Sequence, residues 1–432
     1  MPDLRSEPVS SRERLAWCLF DFANSSFTTI IITVAYSLYF VQVVAKGDGP
    51  PGTAEALWGR GYALSMGIAA LLSPILGAVA DHYAKKKTFL AVVTAICITA
   101  TAALSLVGPG EVALGLLLFG IANIGFELGY TFYNAFLVEL VEREEMGRLS
   151  GYGWATGYLG GLASLALAYP FVKGGLGSDN LDLYRLSFAM TAAFFLVASV
   201  PTFVYLRERA VPQTAVTGVR RWTIGFARVA HTFREIRRHR QLFIYLIAFL
   251  IYTDAINTVV IFSGIFAAGV LGFTPNDLII FFLVMQVTAG LGAYAFGVLS
   301  DRLGAKQTIA VTLGCWIGIV VWAFAVRTAG EFYAIGLIAG AALGANQAVS
   351  RTLLGLFTPV GRQAEFFGFF SVSAKFAAVL GPLVYGQIVL WTGNQRLAVL
   401  SLAVFFLIGW IVLRSVDEKK GILAAHSPKM VP

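Results

Sequence analysis

The chain has 432 residues, 57% of them hydrophobic and 13% charged, with a net charge of +8 and a mean hydropathy of +0.75. A soluble domain carries roughly 25% charged residues. Half that share cannot wet the surface of a soluble fold, so lipid must be the solvent for most of the surface.

Residues 1–14 are polar and read as an N-terminal tail. The apolar run that follows, about 15–44, is too long for the apolar core of a cleavable signal, so no such signal is expected. A crossing needs about 20 apolar residues. Five more such runs follow in the first half, at about 57–80, 88–107, 111–138, 149–171 and 185–206. Six make up the second half, at about 241–270, 277–299, 307–326, 331–357, 364–390 and 396–414. The expected fold is an all-α membrane protein of about twelve transmembrane helices. It has a six-helix bundle in 15–206, a linker in 207–240, a second six-helix bundle in 241–414 and a tail in 415–432. In the linker, Trp222, Phe226, Val229, Phe233 and Ile236 recur at helical spacing among seven arginines from Arg220 to Arg240. That is the pattern of an amphipathic helix lying on a membrane face.

Orientation follows from the basic residues. Of the 32, the tails, the linker and the loops on their side hold 24, whereas the opposite side holds only Lys46, Arg60, Lys173, Arg185, Arg327 and Arg396. Both termini are therefore expected in the cytoplasm. The positive net charge reflects topology and an anionic inner leaflet, and no nucleic-acid partner is expected. Cys18, Cys97 and Cys315 sit in apolar runs as small hydrophobes. The histidines lie in polar segments, which excludes a histidine proton relay within the bilayer. The sequence has no metal-ligand spacing and no phosphate-binding loop, so no cofactor is expected.

The two halves carry an internal repeat. Gly77 and Asp81 precede the basic turn Lys85-Lys86-Lys87, and Gly297 and Asp301 precede Arg302 and Lys306. Asp21-Phe-Ala-Asn24 resembles Asp254-Ala-Ile-Asn257, and the segment around Gly151 resembles that around Gly368. The offsets, 220, 233 and 217, keep one order while loop lengths vary. A parallel repeat of this kind places a solute site near the midplane between the halves.

The Gly-x-x-x-Asp-Arg-x-Gly-x-Lys string from Gly297 to Lys306 resembles the loop signature of the major facilitator superfamily. The first-half copy departs from it, with Ala84 where glycine is usual. The resemblance implies that these loops gate movement and do not choose the solute. Trp17-Cys-Leu-Phe-Asp21-Phe-Ala-Asn24-Ser-Ser-Phe is similar to the opening of the vacuole effluxer family, the autophagy-related permeases and their bacterial relatives. So are Tyr133-Asn134, Ser150-Gly151-Tyr-Gly153-Trp154, Ser350-Arg351, Glu365-Phe-Phe-Gly368 and Gly381-Pro382. The resemblance implies amino-acid export from the vacuole in fungal members and a bacterial cell (inner) membrane location for a chain of this kind.

Ionisable residues inside membrane helices are costly and face a cavity or a partner. Asp21 is seven residues past Arg14, about 10 Å in at 1.5 Å per residue. Asp254 and Lys375 are fourteen and thirteen residues past Arg240 and Arg362, so both lie roughly 20 Å along, near the midplane. They are expected to face a central cavity from helices 7 and 11. Arg351 is a candidate for the cytoplasmic gate. Glu127 shares one stripe with Asn123, Tyr130 and Asn134. The 217 offset pairs Asn134 with Arg351 and Tyr158 with Lys375, neutral against cationic, which suits an asymmetric, zwitterionic solute. Asp21, Asn24, Glu127, Asn134, Tyr158, Asp254, Asn257, Arg351 and Lys375 are the candidate binding or coupling residues. Gly153, Gly157 and Gly161, like Gly336, Gly340 and Gly344, are spaced for helix packing. The expected function is alternating-access transport of small polar solutes, with protons as coupling ion and amino-acid efflux as one form. The alternatives are an uncoupled facilitator or lipid translocator and, in another class, a membrane enzyme or receptor.

Overall fold

The computed structural model describes residues 8–46, 53–212, 239–273, 275–377 and 380–426. Among the described residues, twelve helical segments are long and apolar enough to cross a membrane. In the first half these are α1 Ser11–Val44, α2 Ala56–Tyr83, α3 Lys86–Leu106, α4 Val112–Leu140, α5 Arg143–Val172 and α6 Ser178–Tyr205. In the second they are α7 Arg240–Leu271, α8 Ile280–Leu303, α9 Ala305–Ala325, α10 Ala329–Leu356, α11 Gln363–Thr392 and α12 Gln395–Arg414. A short helix, α13 (Glu418–His426), follows. No strand occurs among the described residues. The amphipathic helix expected over 222–236 lies outside them.

Packing divides the chain into two compact units, Met1–Phe136 with Thr156–Gly225, and Leu137–Ala155 with Phe226–Pro432. Residues 137–155 come from the first sequence half yet pack within the second unit.

In the first unit, α1 opens with a capping box. Ser10 accepts from the Glu13 amide, and the Glu13 side chain accepts from the Ser10 amide. Such a box satisfies two of the amides that a helix start leaves without partners. Glu13 also takes a two-pronged ion pair from Arg209 at 2.9 and 3.0 Å, tying the start of α1 to the end of α6. Trp17 stacks on Tyr133 at 4.6 Å and donates to its carbonyl. Past Phe27 the α1 backbone slackens into π-helix, over Phe27–Val34 and Phe40–Val44. The looser winding lets the Tyr184 hydroxyl reach the Ala35 carbonyl at 3.2 Å.

In the second unit, glycines set the helix spacing. A Cβ on Gly336, Gly340 or Gly344 of α10 would lie 2.3 Å from Phe281, 2.1 Å from Thr288 or 1.8 Å from the Ala289 carbonyl. All three neighbours lie on α8, so the small-residue stripe is a helix-packing seam. Tyr245 donates to the Ser350 carbonyl at 2.7 Å, and the Tyr252 and Ser350 hydroxyls meet at 2.8 Å, joining α7 to α10. Thr328 and Asn394 cap α10 and α12. Cys18 and Cys97 are buried, while Cys315 is half-exposed.

The turn between α8 and α9 requires a left-handed residue. Gly304 supplies it at φ 90°. The equivalent turn between α2 and α3 is one residue longer, with Lys85 as N-cap, and puts Ala84 at φ 51°, a left-handed conformation that strains an alanine.

Candidate functional site

The second-half loop signature is a helix cap. Asp301, at the end of α8, accepts from the backbone amides of Gly147 and Arg148 at 2.7 and 2.8 Å. These amides open the Met146–Val172 helix, so a carboxylate meets orphan donors at the positive end of a helix dipole. The approach depends on glycine, because a Cβ on Gly151 would lie 2.5 Å from the Ala293 carbonyl and one on Gly297 2.6 Å from the Gly147 carbonyl. Arg302 is exposed, and Lys306 donates to the Arg414 carbonyl at 3.0 Å. In the first-half copy Gly77 and Asp81 are buried and Lys85 is exposed. Lys86 is fully buried, with Glu208 at 3.9 Å and the Phe136 ring at 5.5 Å.

Two acidic residues absent from the sequence expectation complete this pattern. Glu208, just after α6, accepts from the Lys87 amide at 2.8 Å. Glu418, just after α12, accepts from the Ala305 and Lys306 amides at 3.2 Å each. In each half, therefore, a glutamate after the sixth helix caps the third. Burial pushes both carboxyls above the usual glutamate range, against the pull of Lys86 on Glu208 and of the Lys306 amide on Glu418. Their matching places at the ends of the two halves were a detectable signal.

Arg351 is buried on α10. It donates to the Ser150 hydroxyl at 2.9 Å and the Ser150 carbonyl at 2.6 Å, with its guanidinium 5.5 Å from the Trp154 ring. Ser150 in turn donates to the Ala348 carbonyl at 2.7 Å. Thus Asp301 and Arg351 both hold the 146–155 stretch of α5 against α8 and α10.

In the first unit, buried Asp21 accepts from the Tyr133 hydroxyl at 3.2 Å and lies beside Gly157, within electrostatic range of Tyr158. Asn24 is buried one turn on. Glu127 is half-buried near Tyr62, and Asn134 is buried. Asn123, from the same α4 stripe, donates to Ser65 of α2 at 2.8 Å, an interhelical bond.

In the second unit, Asp254 accepts from the Gly381 amide at 2.6 Å, and Asn257 donates to the Ala377 carbonyl. Lys375 donates to Ser371, one turn back on its own helix. The two Asp-x-x-Asn motifs share one local geometry. A Cβ on Gly157 would meet Ser25 and Asp21, and a Cβ on Gly381 would meet Thr258 and Asp254. The 217 offset holds at the helix starts Met146 and Gln363 but becomes 224 at these glycines. Asp254 therefore meets α11 further from the helix start than Asp21 meets α5. An apolar cavity inside the second unit, lined by Phe262, Phe281, Met285 and Tyr385 among others, measures about 40 Å³. That is room for little more than a water, so it is no solute site.

Residues 60–426 match the family described as vacuole effluxer Atg22 like. The chain is 28% identical over 417 residues to YxiO of Bacillus subtilis (strain 168), an uncharacterized MFS-type transporter, covering 95% of this chain and 96% of that one. It is 26% identical over 337 residues to autophagy-related protein 22 of Yarrowia lipolytica, covering 70% of this chain but only 56% of the fungal protein. Among solved structures, the proton:xylose symporter XylE superposes with a TM-score of 0.73 at 16% identity, over 95% of this chain and 96% of that one. The transporter FucP in an outward conformation superposes at 0.72 and 13% identity, over 94% and 98%. At such identities the likeness is one of fold, that of the major facilitator superfamily.

Proposed function

From the premise that this chain belongs to the Atg22-like vacuole effluxer family and has the major facilitator fold, we propose that it is a proton-coupled secondary transporter of small zwitterionic solutes, amino acids among them. It works by alternating access. Both termini and the 207–240 linker lie in the cytoplasm, and the protein resides in a bacterial cell membrane. The observation that carries this reading is the repeated Asp-x-x-Asn motif. In each half the motif buries its carboxylate inside a spanning helix, Asp21 and Asp254, both held by hydrogen bonds that a solute or a proton can exchange. Arg351 and Lys375 supply the cationic counterpart for a solute carboxylate. The Asp301 and Arg351 contacts to α5 act as a gate, since they hold one helix end by caps that form or break as a set.

The test is flux in proteoliposomes. Labelled L-alanine, L-arginine and L-glutamate are offered with and without a pH gradient. Gradient-driven movement of at least one is expected. Failure of all three to move in either direction, in protein that is folded by thermal unfolding, would sink the amino-acid reading. Movement indifferent to the gradient would sink proton coupling.

A further inference from the structure

Between Arg60 and Lys85, and again between Lys87 and Arg143, the sequence holds no Lys or Arg. The middles of α2 and α4 therefore bring no cation to the membrane interior. They bring acceptors instead. On α4, Asn123 and Glu127 are four residues apart and share one helical face. They stand eleven and fifteen residues past Val112, about 16 and 22 Å along a helix that ends at Leu140, so both are near its middle.

Asn123 is completely buried. Its amide nitrogen donates to the Ser65 hydroxyl of α2 at 2.8 Å, and the Ser65 hydroxyl donates to the Tyr62 carbonyl at 2.7 Å. A hydroxyl has one hydrogen, and here the Tyr62 carbonyl takes it. Towards Asn123, Ser65 can only accept, which fixes the two ends of the Asn123 amide. The other end, Oδ1, is left buried without a hydrogen-bond partner among the described residues. A buried acceptor without a donor costs free energy, and few native structures keep one. Tyr62, on α2, lies within electrostatic range of Glu127. Both are half-buried, so the cluster is closed at Asn123 and open at Tyr62 and Glu127.

We propose that Asn123, Glu127 and Tyr62 form a subsite for a primary ammonium group, and that the first unit holds the amine end of the solute. This rests on the transport reading above and names a group that the solute carries. An ammonium has three donors and no acceptor. An amide oxygen, a carboxylate and a phenol oxygen are three acceptors. Side chains four residues apart on a helix have Cβ atoms about 5–6 Å apart, and one ammonium nitrogen at about 2.8 Å from each oxygen spans that gap. An ionised carboxylate has about four acceptor positions, so a donor that Glu127 already holds leaves places for those of the solute. A water molecule satisfies Oδ1 but carries no charge, whereas the Glu127 carboxylate in a medium of low dielectric favours a cation.

The test is ligand-induced thermal stabilisation of the full chain in lipid nanodiscs, in potassium chloride at constant ionic strength. The probe is n-propylammonium chloride, with n-propanol as its neutral counterpart and sodium chloride as a metal cation. Propylammonium is expected to raise the melting temperature of wild type, and propanol and sodium are not. Tyr62→Phe removes one acceptor but keeps the ring packed on Phe119. It is expected to weaken propylammonium affinity about fivefold, the size of one hydrogen bond. Glu127→Gln keeps the shape and removes the charge, and should weaken it about thirtyfold. Asn123→Ala should weaken it about tenfold; if that variant does not fold, the other two decide the matter. Stabilisation by sodium in place of propylammonium makes the cluster a metal site and overturns the proposal. Stabilisation by neither leaves a buried water and overturns it too, as does equal propylammonium affinity in wild type, Tyr62→Phe and Glu127→Gln. Labelled L-alanine flux in proteoliposomes separates the two readings. Flux with a propylammonium affinity that the variants leave untouched overturns this assignment alone. A variant-sensitive propylammonium affinity without amino-acid flux supports the subsite and sinks the amino-acid reading.

Discussion

Asp301→Ala removes both acceptors from the start of α5. The bonds to Gly147 and Arg148 measure 2.7 and 2.8 Å and are charge-assisted. Buried bonds of this kind contribute about 1.5–3 kcal/mol each, but Asp301 is half-exposed, which places them near 1 kcal/mol. The loss of a charge at a helix N-terminus adds about 0.5 kcal/mol. The total, about 2–3 kcal/mol, shifts the docked state of the α5 start by about 30- to 150-fold. Hydrogen exchange over 143–155 reads this directly, and those amides should exchange faster by that factor in Asp301→Ala. Asp301→Asn keeps one oxygen acceptor and should lie between. Transport rate should fall while the ranking of solutes stays the same, because the contact holds a helix end and touches no solute. Unchanged exchange would refute the capping argument, and a changed ranking would refute the gating role.

Arg351→Lys keeps the charge but loses the fork that grips the Ser150 hydroxyl and carbonyl and the flat face over Trp154. A loss of about 2 kcal/mol in denaturant unfolding is expected, and unfolding at the wild-type midpoint would contradict it. Ala84→Gly should relieve a left-handed alanine at φ 51° and raise stability by about 0.5–1 kcal/mol; a lower melting temperature would show that the strain is absent. Burial raises the Glu418 carboxyl pKa, so the folded chain holds that proton more tightly than the unfolded chain does. Its favourable contribution is present below the ordinary glutamate range, about pH 4.3, and is lost as pH rises through the raised value. Glu418→Gln should therefore gain on wild type in thermal unfolding as pH rises from acid to neutral, and a gap that widens towards acid would reverse the sign. Glu418→Ala, which loses both amide contacts, should cost about 1 kcal/mol at acid pH and less as pH rises.

The sequence alone determined the class of this protein, because membrane insertion is read from local composition. Twelve runs of apolar residues and a biased distribution of Lys and Arg need no long-range contact to act. The loop signature at Gly297–Lys306 and the two Asp-x-x-Asn motifs were likewise visible, since each depends on a few adjacent residues. Their partners were not visible. That Asp301 meets Gly147, that Arg351 grips Ser150, and that Glu208 and Glu418 cap α3 and α9 are facts about chain segments between 112 and 201 residues apart. The repeat suggested one offset for α5 and α11, yet the glycine that meets the aspartate lies seven residues further along α11 than that offset allows. Spacing along a chain fixes which residues share a helix face. It does not fix how far along a neighbouring helix that face docks, because close backbone approach at a glycine is decided only when two helices meet.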